Sequence, residues 1–301
     1  MTRISYVNGK FLRHEKCFVH IEDRGFQFAD GAYEVTLFEK NQFIDGIAHM
    51  QRLMRSLAQL NIEHDFTVEQ LLKIQQKLMT KNNYTQNATC YIQITRGQHN
   101  RTPNCPKNIK PSIIITASER KIVSENEFER GFSATTCADI RWHRCDIKTV
   151  NLLASTLCNQ KAKDQGFDDA IFIRDNFVTE ATFANVFIVD NNNNLITHPV
   201  DNNILCGITR NRLIEIAKNH KINVIEKKFT IEEMYAANEV FLTSSSLIIR
   251  PLNKINQHSL KNFHNIKSSI AFLLKNQYEN FIEQHNTKKT PKSKKPNPAN
   301  H

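Results

Sequence analysis

Hydrophobic and polar residues alternate near the start of the chain in a pattern typical of a strand hairpin. Residues 5–7 and 10–12 flank Asn8-Gly9, and Asn-Gly between apolar runs is a strong signal of a hairpin turn. The spacing then changes, because apolar residues recur every three or four positions between about residues 47 and 60. This period predicts an amphipathic helix. The first part of the chain therefore mixes strands and helices.

The same patterns predict the elements of the rest of the chain. Strands are expected at about residues 31–38, 89–95, 111–117, 132–140, 170–173, 184–189, 195–197 and 239–243. Helices are expected at about residues 68–80, 151–165, 209–220, 231–237 and 266–283. A long polar loop, residues 96–110, interrupts the first half, and loops of that length are usually functional or mobile. The pattern as a whole predicts an α+β fold.

Length and polarity divide the chain into two predicted domains and a tail. The chain has 301 residues, which suits two domains of roughly 150 residues each. Because residues 118–126 are polar, we expect a small N-terminal α+β domain, 1–120, and a larger C-terminal α+β domain, 121–285. Residues 286–301 are expected to form a disordered basic tail, since they hold five lysines and no large apolar side chain.

Charge and composition exclude several classes of protein. The net charge is +10, but the tail supplies much of it, so the body is not strongly basic. A nucleic-acid-binding protein therefore has only the tail in its favour. No apolar run approaches the roughly 20 residues that span a bilayer, and no export signal is visible at Met1. Seven cysteines without a CxxC pair and histidines without HExxH predict reduced thiols and no metal site. We expect a cytoplasmic protein.

Two local patterns suggest where chemistry takes place. Gly207-Ile208-Thr209-Arg210 opens a predicted helix, and free N–H groups at a helix start suit a phosphate, although an ordinary helix cap has the same pattern. Glu180 lies in a strand-like apolar run. It either meets a buried cation or donor, or it points to solvent on an alternating strand.

Three basic residues have equally open interpretations. Lys148 follows Arg144 and the sole tryptophan, Trp142; a nearby cation favours the neutral amine that covalent catalysis needs, but most lysines are surface charges. Arg52 lies in the middle of a helix, which normally means a solvated face. Arg101 lies in the long polar loop, where it either holds a carboxylate in a bidentate pair or stays a mobile surface residue. These patterns alone indicate an enzyme of unknown chemistry.

Taken together and in this order, the patterns resemble the fold-type IV family of pyridoxal-phosphate enzymes, and within it the D-amino acid aminotransferases. The resemblance covers about residues 4–283. The matching blocks are residues 22–35, 95–97, 139–148, 151–153, 179–180, 185–187, 207–210 and 241–245. The resemblance implies the two-domain α+β fold of that family and pyridoxal 5'-phosphate as cofactor.

The resemblance also implies a role for each matching residue. Lys148 corresponds to the lysine that binds the cofactor covalently and shuttles the substrate proton, and Glu180 to the carboxylate at the pyridine nitrogen. Tyr33 and Arg101 correspond to ligands of the substrate carboxylate. The expected ligands of the cofactor phosphate pocket are Arg52, Ile208, Thr209, Ser244 and Ser245.

The implied activity is a ping-pong transamination between a D-amino acid of the D-alanine type and a 2-oxo acid such as 2-oxoglutarate or pyruvate. Family members act as homodimers whose loops reach across from the partner. Two departures concern the substrate: Pro103 replaces a histidine of the carboxylate site, and Phe183 stands in a stretch that is Gly/Ser-rich in relatives. A branched-chain L-amino acid aminotransferase or an aminodeoxychorismate lyase of the same fold therefore remains the alternative.

Overall fold

The first half of the chain forms a six-stranded antiparallel sheet. A computed structural model of the protein describes residues 3–260 and 263–287. The strands of this sheet are β1 (Ile4–Val7), β2 (Lys10–Arg13), β3 (Gly31–Glu39), β4 (Gln42–Phe43), β5 (Ala88–Thr95) and β6 (Ser112–Glu119). Their order is β2-β1-β6-β5-β3-β4. The predicted hairpin is confirmed: Val7 pairs with Lys10, and Asn8 and Gly9 both have the positive φ of a two-residue turn.

Helices cover this sheet because their apolar stripes need a partner. They are α2 (Gly46–Gln59) and α3 (Val68–Lys81), whereas the short α1 (Arg24–Phe28) precedes β3 and contributes no side chain to their common core. A capping box fixes the start of α3, in which Thr67 and Gln70 each accept a hydrogen bond from the backbone N–H of the other. The core between helices and sheet consists of fully buried side chains: Met50, Leu53, Leu57, Leu71, Leu78, Cys90, Ile92 and Ile94.

The second half forms a larger mixed sheet of nine strands. They are β7 (Phe132–Ala138), β8 (Asp169–Arg174), β9 (Phe177–Ala181), β10 (Asn185–Val189), β11 (Leu195–Thr197), β12 (Val224–Glu226), β13 (Glu239–Ser244), β14 (Ile248–Ile255) and β15 (His258–Ser259). Their order is β12-β11-β10-β13-β14-β7-β8-β9, with β15 beside β14. The pairs β7–β8, β7–β14 and β11–β12 are parallel.

Five helices accompany this sheet. They are α4 (Glu125–Arg130), α5 (Leu153–Asp164), α6 (Ile208–Asn219), α7 (Ile231–Ala236) and α8 (Ile270–Thr287). Helix α8 packs on α6, where Leu274 and Tyr278 join Leu213 and Ala217 in one buried cluster. Among the helices of the described residues, none combines the length and apolarity needed to cross a membrane.

Most predicted elements are present, but the short elements α1, α4, β4, β12 and β15 were not predicted, and three further differences concern longer segments. Strand β14 was not expected, because Pro251 interrupts its apolar pattern and proline is rare inside sheets. The expected helix at 266–283 begins later, at Ile270, after a short 3-10 segment, and ends at Thr287. The predicted link 118–126 is taken up in part by the end of β6 and the start of α4.

The two sheets agree with a division near residue 120, which stays a prediction. Strands β1 to β6 end at Glu119, and strands β7 to β15 begin at Phe132. The predicted tail, 286–301, likewise stays a prediction, and helix α8 reaches Thr287. Residues 288–301 of that tail lie outside the described residues.

A prediction concerns Gly97, which closes the base of the long polar loop. Gly97 has a φ of +110°, and a Cβ atom there would lie 2.1 Å from the carbonyl oxygen of Lys110. We expect Gly97→Ala to lower the free energy of unfolding more than Gly166→Ala does. Gly166 also has a positive φ, but no atom lies within 4 Å of a Cβ there, so this variant isolates the conformational cost of about 1 kcal/mol. Equal losses in urea denaturation would contradict the steric argument.

Candidate active site

A cavity of about 600 Å³ lies where elements of the two sheets meet. The first half contributes side chains from β3 and α2, and the second half contributes the segment before α5, strand β9, the start of α6 and the end of β13. Eight of the nine residues predicted for the site line this cavity: Tyr33, Arg52, Lys148, Glu180, Ile208, Thr209, Ser244 and Ser245. The ninth, Arg101, does not.

Lys148 is held in the cavity by backbone contacts with the first half of the chain. Its carbonyl oxygen accepts a hydrogen bond of 3.0 Å from the N–H of Tyr33 on β3. Its own N–H donates to the hydroxyl of Ser56 on α2, at 3.3 Å. The ammonium nitrogen lies 4.3 Å from the centre of the Tyr33 ring. Lys148 is therefore a half-buried cavity residue and not a freely solvated charge.

Glu180 is buried on β9, so the solvated alternative is wrong. One carboxylate oxygen accepts hydrogen bonds from the side chain of Asn185 at 3.2 Å and from the N–H of Leu205 at 3.0 Å. The other oxygen is paired with Arg141. Burial raises the pKa of Glu180 above its ordinary value, and Arg141 opposes that shift. Glu180 thus faces the cavity with a carboxylate that accepts hydrogen bonds from three donors.

Arg141 is a site residue to which sequence reasoning assigned no role. It is nine-tenths buried, and Asp139 accepts two hydrogen bonds of 2.8 Å from its guanidinium. Asp139 is also paired with Arg174 at 3.1 Å. Burial alone would lower the pKa of Arg141, but Asp139 and Glu180 hold it well above its usual range. The alternation of acid and base in Asp139-Ile140-Arg141 is the sequence pattern from which this ion pair could have been predicted.

The start of α6 forms an end of the cavity that is rich in hydrogen-bond donors. Gly207 precedes the helix, and no side chain caps the first turn. A Cβ atom at Gly207 would lie 2.1 Å from the side-chain oxygen of Asn185, so the close approach requires glycine. Thr243, beside Ser244, is buried in the cavity wall, and its hydroxyl has no hydrogen-bond partner among residues 3–260 and 263–287.

Glu34 explains why Arg52 is buried and not on a solvated face. Arg52 donates two hydrogen bonds, of 2.7 and 2.9 Å, to the carboxylate of Glu34, which is fully buried on β3. His49 donates a third, of 2.7 Å. Burial by itself would raise the pKa of Glu34, but Arg52 and His49 lower it to about 2. The remaining nitrogen of the Arg52 guanidinium, Nη1, donates a hydrogen bond of 2.7 Å to the carbonyl oxygen of Cys206, just before α6.

The residues of the cavity fit pyridoxal phosphate. Lys148 offers an amine, Glu180 offers a buried carboxylate for a ring nitrogen, and the uncapped start of α6 with Thr209 offers phosphate donors. The orphaned hydroxyl of Thr243 adds a polar group to the cavity wall, and Gly207 leaves the start of α6 without a side chain. Within the described residues, no group of three or more potential ligands could hold a metal ion.

Arg101 lies outside the cavity of its own chain. Its side chain is exposed, and the guanidinium lies 5.1 Å from the centre of the Phe28 ring. The neighbouring carbonyl oxygen of Thr102 accepts a hydrogen bond of 2.7 Å from Arg24. Its role as a carboxylate ligand therefore stays a prediction. Phe183, the departure from the Gly/Ser-rich stretch, lines the cavity and is half exposed.

Comparison with known proteins agrees with this geometry. Residues 31–255 match the family model for amino-transferase class IV. The chain is 33% identical over 285 residues to a D-alanine aminotransferase of Staphylococcus epidermidis, covering 95% of this chain and 99% of the relative. It is 38% identical over 251 residues to a D-alanine aminotransferase of Listeria monocytogenes, covering 83% and 86%. The solved branched-chain amino acid aminotransferase of Escherichia coli superposes with a TM-score of 0.85 at 22% identity, covering 93% and 94%.

The chain belongs to the class IV aminotransferases. It is a pyridoxal-phosphate-dependent aminotransferase, as the resemblance of its sequence implied. The α+β fold of type IV is likewise confirmed by the solved structure.

A prediction follows from the buried charge of Glu34. We expect Glu34→Gln to lower the free energy of unfolding by about 3 kcal/mol at neutral pH, because it leaves Arg52 buried without its counter-charge. The folded-state pKa of about 2 lies below the ordinary value, so this stabilisation is present above about pH 4.5 and is lost as the pH falls towards 2. Urea denaturation at several pH values measures the difference between wild type and variant.

The exposed Glu63 provides the control. Glu63→Gln is expected to change the stability little at any of these pH values. A difference between wild type and Glu34→Gln that does not shrink as the pH falls would contradict the electrostatic explanation.

Proposed function

We propose that this aminotransferase transfers the amino group of a D-amino acid, of the D-alanine type, to a 2-oxo acid such as 2-oxoglutarate or pyruvate. The observation that carries the proposal is the similarity to D-alanine aminotransferases, which extends over 95% of the chain. The cavity supports it, because eight of the nine predicted site residues meet there.

Lys148 and Glu180 are the residues to which we assign the chemistry. Pyridoxal phosphate, when bound, supplies an aldehyde that reacts with amines and a ring that withdraws electrons from the substrate. Lys148 is the amine that holds the cofactor and the base that takes the proton from the substrate Cα. Glu180 supplies a negative charge that favours protonation of the ring nitrogen. Arg141 keeps that charge in place, since it donates to the same carboxylate.

The phosphate is assigned to the donor-rich end of the cavity. The N–H groups of Ile208 and Thr209 open helix α6, where a helix dipole favours an anion. Arg52 adds a positive charge beside them, because it donates to the carbonyl of Cys206 one residue before Gly207. Ser244 and Ser245 supply hydroxyl groups from the end of β13.

We further propose that the protein is a homodimer in which Arg101 serves the cavity of the partner chain. Large apolar side chains are exposed close to the Arg101 loop: Phe18 is 77%, Ile21 75% and Phe26 78% exposed. Exposed apolar side chains that cluster in this way are typical of a surface covered by another protein. Arg101 itself stacks on Phe28 of the same segment. With Tyr33, it would hold the substrate carboxylate, while Pro103 contributes no donor.

We also infer a cytoplasmic location. All seven cysteines are free thiols, which suits a reducing compartment.

An assay of amino-group transfer tests the proposed activity. Mixed with D-alanine and 2-oxoglutarate, the holoenzyme is expected to form pyruvate and glutamate, and Lys148→Ala is expected to abolish the reaction because the amine is lost. Lys161→Ala, on the exposed surface of α5, is the matched control. Coupled assays for pyruvate measure both. Turnover of an L-branched-chain amino acid but not of D-alanine would contradict the D-amino acid assignment in favour of the branched-chain alternative.

Variants of Arg101 test whether the partner chain contributes to the cavity. We expect Arg101→Leu to raise KM for D-alanine much more than it lowers kcat, because a ligand of the carboxylate is lost. When inactive Lys148→Ala chains and Arg101→Leu chains are mixed and allowed to exchange, activity at low D-alanine is expected to return. The hybrid then contains one cavity with both Lys148 and the partner's Arg101. No recovery in proven hybrids would show that Arg101 does not act across the interface.

A further inference from the structure

We propose that Asp139 and Arg174 are positioning residues that set how much negative charge Glu180 presents to the cofactor ring. The inference rests on the proposed role of Glu180 at the ring nitrogen, and it adds two residues that do not line the cavity. Together with Arg141 they form a row of four largely buried charges of alternating sign. This charge row runs from Glu180 through Arg141 and Asp139 to Arg174.

Asp139 fixes the direction in which Arg141 points. Its side chain is fully buried, and its two carboxylate oxygens accept hydrogen bonds of 2.8 Å from Nε and Nη2 of Arg141. This bidentate contact leaves Nη1 of the guanidinium for Glu180, with which it is paired. The guanidinium also stacks on the ring of Phe172, 4.3 Å from the ring centre. These contacts together keep Arg141 aimed at Glu180.

Arg174 holds Asp139 from a second direction. Its Nη2 atom lies 3.1 Å from the carboxylate of Asp139 and donates a hydrogen bond of 3.0 Å to the carbonyl oxygen of Arg141. Its Nη1 atom donates a hydrogen bond of 2.9 Å to the side-chain oxygen of Asn203. The Arg174 side chain is only one-tenth exposed, so solvent screens its charge weakly.

The alternation of sign makes neighbouring ion pairs in the charge row compete. Arg141 divides its positive charge between two carboxylates, and Asp139 divides its negative charge between two guanidinium groups. Without the charge of Asp139, Arg141 would bind Glu180 alone, and the cofactor ring would meet less negative charge. Without the charge of Arg174, Asp139 would bind Arg141 more strongly and leave more negative charge on Glu180. The two losses therefore have opposite effects at the ring nitrogen.

The experiment measures how strongly the cavity prefers a ring nitrogen. The full-length protein is freed of its cofactor and titrated with pyridoxamine phosphate and with the analogue in which a carbon atom replaces the ring nitrogen. Quenching of the fluorescence of Trp142 reports binding, since this is the one tryptophan in the chain and it lines the cavity. The ratio of the two dissociation constants isolates the ring nitrogen, because changes in packing or phosphate binding affect both compounds alike.

The variants are Asp139→Asn, Arg174→Gln and the double variant, and the matched control is Asp30→Asn. Asp30 is likewise a carboxylate between two arginines, Arg24 at 2.8 Å and Arg96 at 2.7 Å, and it does not line the cavity. Its substitution therefore removes the same kind of ion pair without changing the charge row.

We expect Asp139→Asn to reduce the preference for the ring nitrogen by about tenfold, the order of magnitude for one buried charge that acts through an ion pair. Arg174→Gln is expected to increase the preference by about two- to fivefold, since Arg174 lies one member further along the row. The double variant is expected to return towards the wild-type ratio, because the row is again neutral. Asp30→Asn is expected to leave the ratio unchanged.

Several results would overturn the inference. Changes of the same sign in Asp139→Asn and Arg174→Gln would assign both residues to packing, and unchanged ratios in both would remove any role. A change in Asp30→Asn as large as that in Asp139→Asn would show that the effect does not come from the charge row. If Asp139→Asn does not fold, Arg174→Gln still decides, because a ratio that fails to rise rejects the inference.

Glu180→Gln separates the inference from the function on which it rests. A lost preference in Glu180→Gln together with unchanged ratios in the other variants would reject the charge row alone. An unchanged preference in Glu180→Gln would reject the proposed role of Glu180 as well. Since none of these titrations contains an amino acid, they are independent of the choice between D- and L-substrates.

Discussion

The buried ion pair of Glu34 and Arg52 is the contact on which the cavity depends. A guanidinium removed from water needs a counter-charge, and Glu34 supplies it from the central part of β3. His49, on the same side of α2, donates a further hydrogen bond to the carboxylate of Glu34. The remaining donor of Arg52 reaches the carbonyl of Cys206, next to the start of α6. One charged side chain thereby sets the separation between the first sheet and the helix of the second.

A second part of the cavity has the same arrangement with the signs exchanged. There the group that faces the cavity is the carboxylate of Glu180, and the supporting charge is Arg141, which is in turn fixed by Asp139. Arg52 and Glu180 therefore each have a partner of opposite sign behind them, and each partner is bonded to a further group. The cavity keeps these two charges beside the amine of Lys148 because neither of them is left uncompensated in the low-dielectric interior.

Local patterns in the sequence predicted the elements well and the site poorly. Helix α2 was expected at 47–60 and spans Gly46–Gln59, because its apolar period is regular. Strand β14 was not predicted, because Pro251 and the polar residues after it do not fit the apolar pattern of a strand. Its pairing with neighbouring strands on both sides stabilises it nevertheless. The burial of Arg52 depends on Glu34, 18 residues earlier on another element, and no local pattern records such a contact. Lys148 and Thr209 were assigned through resemblance, and Arg101 has its predicted role only if a second chain is present.

The parallel pairing of β7 with β14 has a consequence for how the protein is made. Phe132 of β7 lies opposite Leu252 of β14, so more than a hundred residues separate the two partners along the chain. The ribosome delivers the first sheet complete, with all six strands, by the time Glu119 has emerged. The second sheet must wait, because β7 and β8 are translated long before the strand that completes their edge. During that interval the nascent chain displays an unpaired strand edge, and unpaired edges are the part of a folding chain that is most prone to association with other chains.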